Sequence, residues 1–170
     1  MKKLVLVLVL SILMAGVVFA DHPSGFGVGV QGGGSGNWQG GGGLGYGAGL
    51  SLKLPSLPIF WTIGLPSLKF GGGVFLLDVS GDYYMIDAQL VPSIGLNWYF
   101  GLGVGVTLGI GGGQLGLGAT LRVPVGISFQ PFDLLEIYLQ VVPNIGVWIL
   151  PKFDFPYGGW GANLGVRFWF

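Results

Sequence analysis

The sequence predicts an all-β fold, an eight-stranded antiparallel up-and-down transmembrane β-barrel. Three observations predict it. Large apolar residues alternate with small or polar ones over long stretches, which is the period-two pattern of β-strands. Hydrophobic residues make up 51% of the chain and charged residues only 8%, whereas about a quarter of an average soluble domain is charged. Glycine supplies 36 of the 170 residues, so the non-apolar strand face is poorly suited to contact water.

The first twenty residues have the pattern of a secretory signal peptide. Two lysines precede an apolar stretch that starts at Leu4, and small residues then lead to a suitable cleavage site after Ala20. The apolar stretch is short for a membrane-spanning helix, so a retained anchor is the less favoured alternative. We therefore predict a signal peptide at residues 1–20 and a β-barrel domain at residues 21–170.

Charge and cysteine content exclude several function classes. Beyond the signal peptide the chain has seven acidic and five basic residues, a formal charge of −2. This balance does not favour nucleic acid as a partner. The chain contains no cysteine, which excludes a disulfide framework, a thiol nucleophile, a zinc–thiolate site and a lipidated N-terminal cysteine. We expect no cofactor.

The region between Asp87 and Arg122 has no charged residue, which raises the alternative of transmembrane helices. It is rich in alternating glycines, each of which would cost a helix about 1 kcal/mol relative to alanine. Strands fit better, because one face between Ser93 and Gly109 carries only large apolar side chains. They are Ile94, Leu96, Trp98, Phe100, Leu102, Val104, Val106 and Leu108.

A secreted β-sandwich would show the same alternation, since one face of each sheet packs on an apolar core. Its other face would meet water and carry lysine, glutamate and threonine. In this sequence that face is mostly glycine. A barrel in a lipid bilayer explains the pattern, because its apolar face contacts hydrocarbon while small or polar side chains line a narrow lumen.

Eight strands are predicted, an even number as bacterial barrels require. Alternation continues through Gly81, which favours one strand there over a turn. An even strand number brings both termini to one side, the periplasmic side, where the short turn at Gln130–Asp133 also belongs; residues 32–43 and 150–160 are then external loops. The strands are predicted near residues 24–31, 43–54, 58–65, 70–86, 93–110, 116–130, 133–146 and 159–170.

A network of charged side chains is predicted in the lumen. Three basic and three acidic residues fall on inward strand positions and should pair, because charges removed from water require partners. Antiparallel pairing of the last two strands places Glu136 opposite Arg167, so an ion pair is predicted there. The predicted network consists of Lys53, Asp78, Asp82, Arg122, Glu136 and Arg167.

The sequence leaves the role of this lumen open between a structural plug and a gated pore. Eight strands enclose an interior just wide enough for side chains to fill. The glycine lining favours a water-filled cavity. Four inward aromatic residues favour filling, and they are Tyr84, Tyr99, Tyr138 and Trp169.

Other candidate sites are weak. His22, the only histidine, follows the cleavage site closely and is expected in a mobile end. The segment Gly111–Gly116 matches GxGxxG but joins two strands, so we predict a flexible external loop rather than a nucleotide site. No nucleophile and base occur together, which predicts a protein without catalytic activity. Five loop aromatics form either an exposed binding patch or anchors at the membrane interface, namely Trp38, Phe153, Phe155, Tyr157 and Trp160.

Two stretches resemble known sequences. The terminal "GVRFWF" resembles the aromatic C-terminal signature that outer-membrane insertion machinery reads, with Phe168 and Phe170 as its aromatic positions. The stretch Leu121–Val147 is similar to a poorly characterised family of small outer-membrane barrels common in spirochaetes, of the OmpA/OmpX-like type. The resemblance implies a bacterial outer-membrane location and contact with its lipid and insertion machinery. It implies no catalytic residues. The expected role is structural or surface-interacting, with a small pore as the alternative.

Overall fold

The computed structural model describes residues 22–38, 45–65, 74–111 and 113–170. The predicted signal peptide lies outside them. A short 3-10 turn at Pro92–Ile94 separates the fourth and fifth strand segments. The strand segments are β1 Gly27–Asn37, β2 Gly45–Lys53, β3 Phe60–Leu65, β4 Val74–Val91, β5 Leu96–Gly111, β6 Gln114–Arg122, β7 Val125–Phe132, β8 Leu135–Leu150 and β9 Asp154–Trp169.

The segments form one closed antiparallel ring of eight strands. β4, β3, β2, β1, β9 and β8 pair in that order, β6 and β7 both lie between β8 and β5, and β5 pairs with β4 to close the ring. β6 and β7 are halves of one strand, because Arg122 lies opposite Asn144 and Val125 opposite Val141 in an unchanged register. Pro124 causes the gap, since proline has no N–H for the ladder. The predicted eight-stranded barrel is confirmed.

Burial is inverted relative to a soluble domain. On β5, Val104 is 60% and Ile110 61% exposed on the outer face, while Tyr99 is 1% exposed inside. The buried set includes the charged side chains of Glu136 and Arg167, which soluble proteins rarely bury without partners. An apolar exterior around a polar interior identifies a transmembrane barrel.

Among the described residues, no helix is long and apolar enough to cross a membrane.

Several predicted strand boundaries are wrong. β1 extends through the predicted loop to Asn37, and β9 begins at Asp154 rather than residue 159. The two strands continue together, with Gly36 opposite Trp160. Most of the predicted loop at Gly111–Gly116 belongs to strands instead, because β5 continues to Gly111, β6 begins at Gln114 and these two residues pair. The predicted continuity of the fourth strand through Gly81 is confirmed.

The segment before β1 meets the last residue of the chain at one end of the barrel. Phe26 N donates to Phe170 O at 2.9 Å, and Phe170 N donates to Phe26 O at 2.8 Å. We call this the terminal end; the two-residue turn between β7 and β8 also lies there. The opposite end, which we call the loop end, holds the turns between β5 and β6 and between β8 and β9.

Candidate functional site: the barrel lumen

The predicted ion pair is present at the terminal end of the lumen. Arg167 Nη1 donates to Glu136 Oε2 at 2.6 Å, and the two residues are 2% and 0% exposed. The Trp169 indole N–H donates to the same carboxylate oxygen at 2.9 Å, while Arg167 Nη2 donates to Ser51 Oγ at 2.9 Å. These charge-assisted hydrogen bonds compensate the burial of both ions.

His22 belongs to the same cluster, so the expectation of a mobile end is wrong. Its Nε2 lies 3.0 Å from Glu136 Oε1, its Nδ1 contacts Asp87 Oδ2, and its backbone N donates to Asp87 Oδ2 at 2.9 Å. Burial alone would lower the pKa of His22, but the charges and hydrogen bonds of Glu136 and Asp87 raise that pKa to about 9. A protonated ring donates to both carboxylates.

Asp87 is a charged residue that faces the lumen, although strict alternation along β4 would place it on the outer face. Tyr84 lies opposite Gly101 and Ile86 opposite Phe100, so Met85 is an extra residue on β4. This β-bulge shifts the alternation and brings Asp87 to the lumen. Two successive large apolar residues, Met85 and Ile86, break the pattern and are the sequence signal that indicates it.

Aromatic rings fill the space around this cluster. Tyr84 stacks on Phe60 and on Tyr99, with ring centroids 4.1 and 4.3 Å apart. The Arg167 guanidinium carbon lies 4.7 Å from the ring centroids of both Phe60 and Tyr138, a favourable cation–π distance. We call His22, Asp87, Glu136 and Arg167, with these rings and Trp169, the terminal plug. The predicted inward positions of Tyr84, Tyr99, Tyr138 and Trp169 are confirmed.

The six charges of the predicted network do not form one network. Asp82 and Arg122 pair at mid-height, with Arg122 Nε 2.8 Å from Asp82 Oδ1. Asp78 accepts from Thr107 Oγ1 at 2.8 Å. Lys53 donates to Leu54 O at 3.0 Å, and no carboxylate in the described part of the chain lies within ion-pair distance of it. Among the described residues, the six charges therefore form two separate ion pairs, Asp82–Arg122 at mid-height and Glu136–Arg167 in the plug, while Asp78 and Lys53 belong to neither pair.

The other half of the lumen is a cavity of about 400 Å³. It begins at Asp78 and Arg122 and reaches the loop end between glycine-rich segments of β1, β2 and β9. We call it the cup. No cluster of three or more metal-ligating side chains occurs among the residues that the structure describes.

Two aromatic rings line one wall of the cup. Trp148 lies over Gly118, where a Cβ atom would be 3.2 Å from the indole, and Tyr157 lies beside Gly146 at 3.1 Å. The Trp148 and Tyr157 ring centroids are 5.6 Å apart. Tyr157 therefore faces the lumen and does not join a loop patch. Trp38, Phe153 and Phe155 remain exposed, at 61%, 70% and 62%.

Comparison with solved structures finds similar barrels. Neisserial surface protein A (NspA) is 12% identical, with a TM-score of 0.58, over 87% of this chain and 98% of that one. The N-terminal β-barrel domain of Pseudomonas aeruginosa OprF is 17% identical, with a TM-score of 0.48, over 85% and 97%. Ail, the attachment invasion locus protein of Yersinia pestis, is 12% identical, with a TM-score of 0.38, over 86% and 97%.

The likeness to NspA confirms, at the level of the fold, the predicted resemblance to small eight-stranded barrels. No family model and no curated protein matches the sequence.

Proposed function

We propose that this chain is a non-catalytic integral protein of the bacterial outer membrane, with its cup open to the cell exterior and its terminal end closed towards the periplasm. The observation that carries this proposal is the combination of an apolar outer wall with a lumen blocked at one end by the terminal plug. The predicted signal peptide, cleaved after Ala20, supports export of the chain. The fold likeness to a neisserial surface protein supports the same location.

The chemistry of the plug supports a structural role. Glu136 is in contact with His22, Arg167 and Trp169, and Asp87 with His22. Two cations therefore neutralise two carboxylates, and the carboxylate of Glu136 is fully buried. Such a cluster has neither a free nucleophile nor an accessible base, which a catalytic site requires. It holds β4, β8 and β9 together across the lumen.

The C-terminal strand supports the proposed partners. Phe168 and Phe170 are 45% and 72% exposed on the outer surface at the terminal end. There they contact membrane lipid in the folded barrel, and before folding they are available to the insertion machinery. Removing Phe170 should reduce outer-membrane assembly in cells while leaving refolding in detergent intact, as measured by the membrane-bound fraction and by gel migration.

The proposed orientation is testable because the chain has no cysteine. Phe153→Cys places a thiol at the loop end and Asp133→Cys places one at the terminal end; both residues are exposed. A membrane-impermeant maleimide added to intact cells should label only the loop-end thiol. Asp133→Cys should react after the outer membrane is permeabilised. Labelling of Asp133→Cys alone in intact cells would overturn the orientation, and absence of both variants from the outer membrane would overturn the location.

A gated channel is the second candidate, and one observation favours it. His22 contributes to the plug but lies before β1 and is not part of the wall. Its displacement would not require any strand pair to open. If the plug is a gate, His22→Ala should produce discrete openings in a planar bilayer while the wild-type barrel stays closed. A silent His22→Ala barrel would contradict the channel.

A further inference from the structure

We propose that the cup binds a neutral carbohydrate, one or two sugar residues of a glycan that enter from the loop end. The inference rests on the proposed function only for the side from which the ligand arrives. The binding site itself depends on the shape, charge and hydrogen-bonding groups of the cup.

The size of the cup sets the size of its ligand. Its volume of about 400 Å³ lies within the range of about 300–1,000 Å³ for small-molecule sites. The Asp82–Arg122 pair and the terminal plug close its inner end, so a polymer cannot thread through the barrel. A short, compact group at the end of a longer molecule fits this geometry.

The charges of the cup disfavour an anion. Among the described lining residues the charged side chains are Asp78 and Arg122. Arg122 is already held by Asp82 at 2.8 Å and by Ser80 Oγ at 2.6 Å. Asp78 has no cation within ion-pair distance among the described residues and adds a negative charge. A phosphate or carboxylate would meet this charge without a free cation to compensate it.

The polar groups of the cup favour a ligand with many hydroxyl groups. The side chains of Asn37 and Asn163 line the cavity and make no hydrogen bond to another described residue. The amide of Asn144 donates only to Val142 O in its own strand, at 3.3 Å. Each amide offers both donors and acceptors, which match hydroxyl groups that donate and accept. An apolar ligand would leave these groups unpaired, at a cost in free energy.

The two aromatic rings in the wall of the cup offer an apolar surface on which a sugar ring can pack. The Trp148 and Tyr157 rings are inclined to each other by 36°, and each covers a glycine of the neighbouring strand. Packing against these glycines holds each ring in a fixed orientation. One face of a pyranose ring carries C–H groups that pack on aromatic surfaces, while its hydroxyl groups reach polar neighbours. The hydroxyl of Tyr157 makes no hydrogen bond to another described residue and is available to a sugar.

The experiment uses residues 21–170 refolded in lauryldimethylamine oxide micelles, because the head groups of maltoside detergents would compete as sugars. The probes are the methyl glycosides of glucose, galactose and N-acetylglucosamine, with lactose as a disaccharide and inorganic phosphate as the anion. Saturation-transfer NMR and tryptophan fluorescence report binding, and heat-modifiable gel migration reports folding. We expect saturable binding of at least one sugar with a Kd of about 1 mM or lower, and no binding of phosphate.

Matched variants locate the site. Trp148→Leu and Asn144→Ala should each weaken sugar binding about tenfold, equivalent to about 1.4 kcal/mol. The controls are Trp98→Leu on the outer face and Asn97→Ala on the inner face near the terminal end, which should leave the affinity unchanged. Three outcomes would overturn the proposal. The folded barrel could bind none of the sugars, it could bind phosphate instead, or its sugar binding could be unchanged in both Trp148→Leu and Asn144→Ala.

The result is separable from the orientation test. Binding in micelles does not depend on which side of the membrane the cup faces. Sugar binding without cell-surface labelling of Phe153→Cys would keep the site and overturn the outward orientation. Labelling without sugar binding would overturn the carbohydrate site alone.

Discussion

The terminal half of the lumen and the cup are built on the same eight strands, yet one is filled and the other is hollow. On β9 the inward residue Arg167 is 2% exposed in the plug, whereas Gly161 lines the cup. On β8 the inward residue Tyr138 is 2% exposed, whereas Asn144 lines the cavity. The number of strands and their stagger fix the width of the barrel, and the size of the inward side chains determines whether the lumen is filled.

The two halves of the lumen should therefore contribute differently to stability and to binding. The plug joins several strands through buried ion pairs and stacked rings, so changes there should affect folding. The cup exposes backbone, amides and two aromatic rings to a cavity, so changes there should affect binding with little effect on stability. Equivalent substitutions in the two halves test this division.

The largest contrast is expected for the two arginines. Arg167→Met leaves the fully buried Glu136 without its guanidinium partner, which should cost about 3–5 kcal/mol. Arg122→Met removes the partner of Asp82 at the inner end of the cup. Because the Arg122 side chain is 11% exposed, against 2% for Arg167, the cost should be smaller, about 1.5–3 kcal/mol. Urea unfolding in lipid vesicles, followed by tryptophan fluorescence, measures both. An equal or smaller loss for Arg167→Met would contradict the central role of the plug.

The pH dependence of the plug gives the next largest effect. The pKa of His22 is raised from 6.5 to about 9 in the folded barrel. Its contribution is therefore complete below the unfolded value of about 6.5 and is lost as pH rises through about 9, with a total of about 3 kcal/mol. The stability difference between wild type and His22→Gln should shrink between about pH 6 and about pH 10. A difference that stays constant over this range would show that His22 is not held as a cation.

The smallest expected effects on stability concern two glycines of β9, one in the plug and one in the cup. A methyl group on Gly165 would overlap the Tyr138 ring, whose hydroxyl donates to Gln31 at 2.8 Å. A methyl group on Gly161 would be 3.7 Å from the Asn163 side chain. Gly165→Ala should therefore cost about 1–3 kcal/mol, while Gly161→Ala should be neutral or stabilise by less than about 1 kcal/mol. Thermal unfolding of both variants checks this, and similar losses would argue against a tightly packed plug.

The parts of the structure that depend on local pattern follow from the sequence. Period-two alternation predicts the strand number and the lumen-facing residues of β5. Pairing the start of the seventh predicted strand with the end of the chain, Asp133 with Phe170, sets the register of the last two strands, so the Glu136–Arg167 pair is also predictable.

The parts that depend on irregularity or distant contacts do not follow from the pattern. Asp87 reaches the lumen only because Met85 forms a bulge. His22 is placed by contacts with strands that are distant in sequence. The length of β1 is hidden because glycine pairs through its backbone without a side-chain signal, and the start of β9 is hidden because Pro156 is a residue typical of loops. The cup forms because inward glycines on several strands leave space in the lumen, so the sequence of any one strand does not predict it.

Single-channel conductance of refolded residues 21–170 in a planar bilayer tests most directly whether the terminal plug closes the lumen. Heat-modifiable gel migration confirms folding beforehand. We predict that the wild-type barrel inserts and remains electrically silent, because the plug fills the cross-section of the lumen. Regular, discrete openings from the folded wild-type barrel would contradict it and would make the lumen a conducting pore.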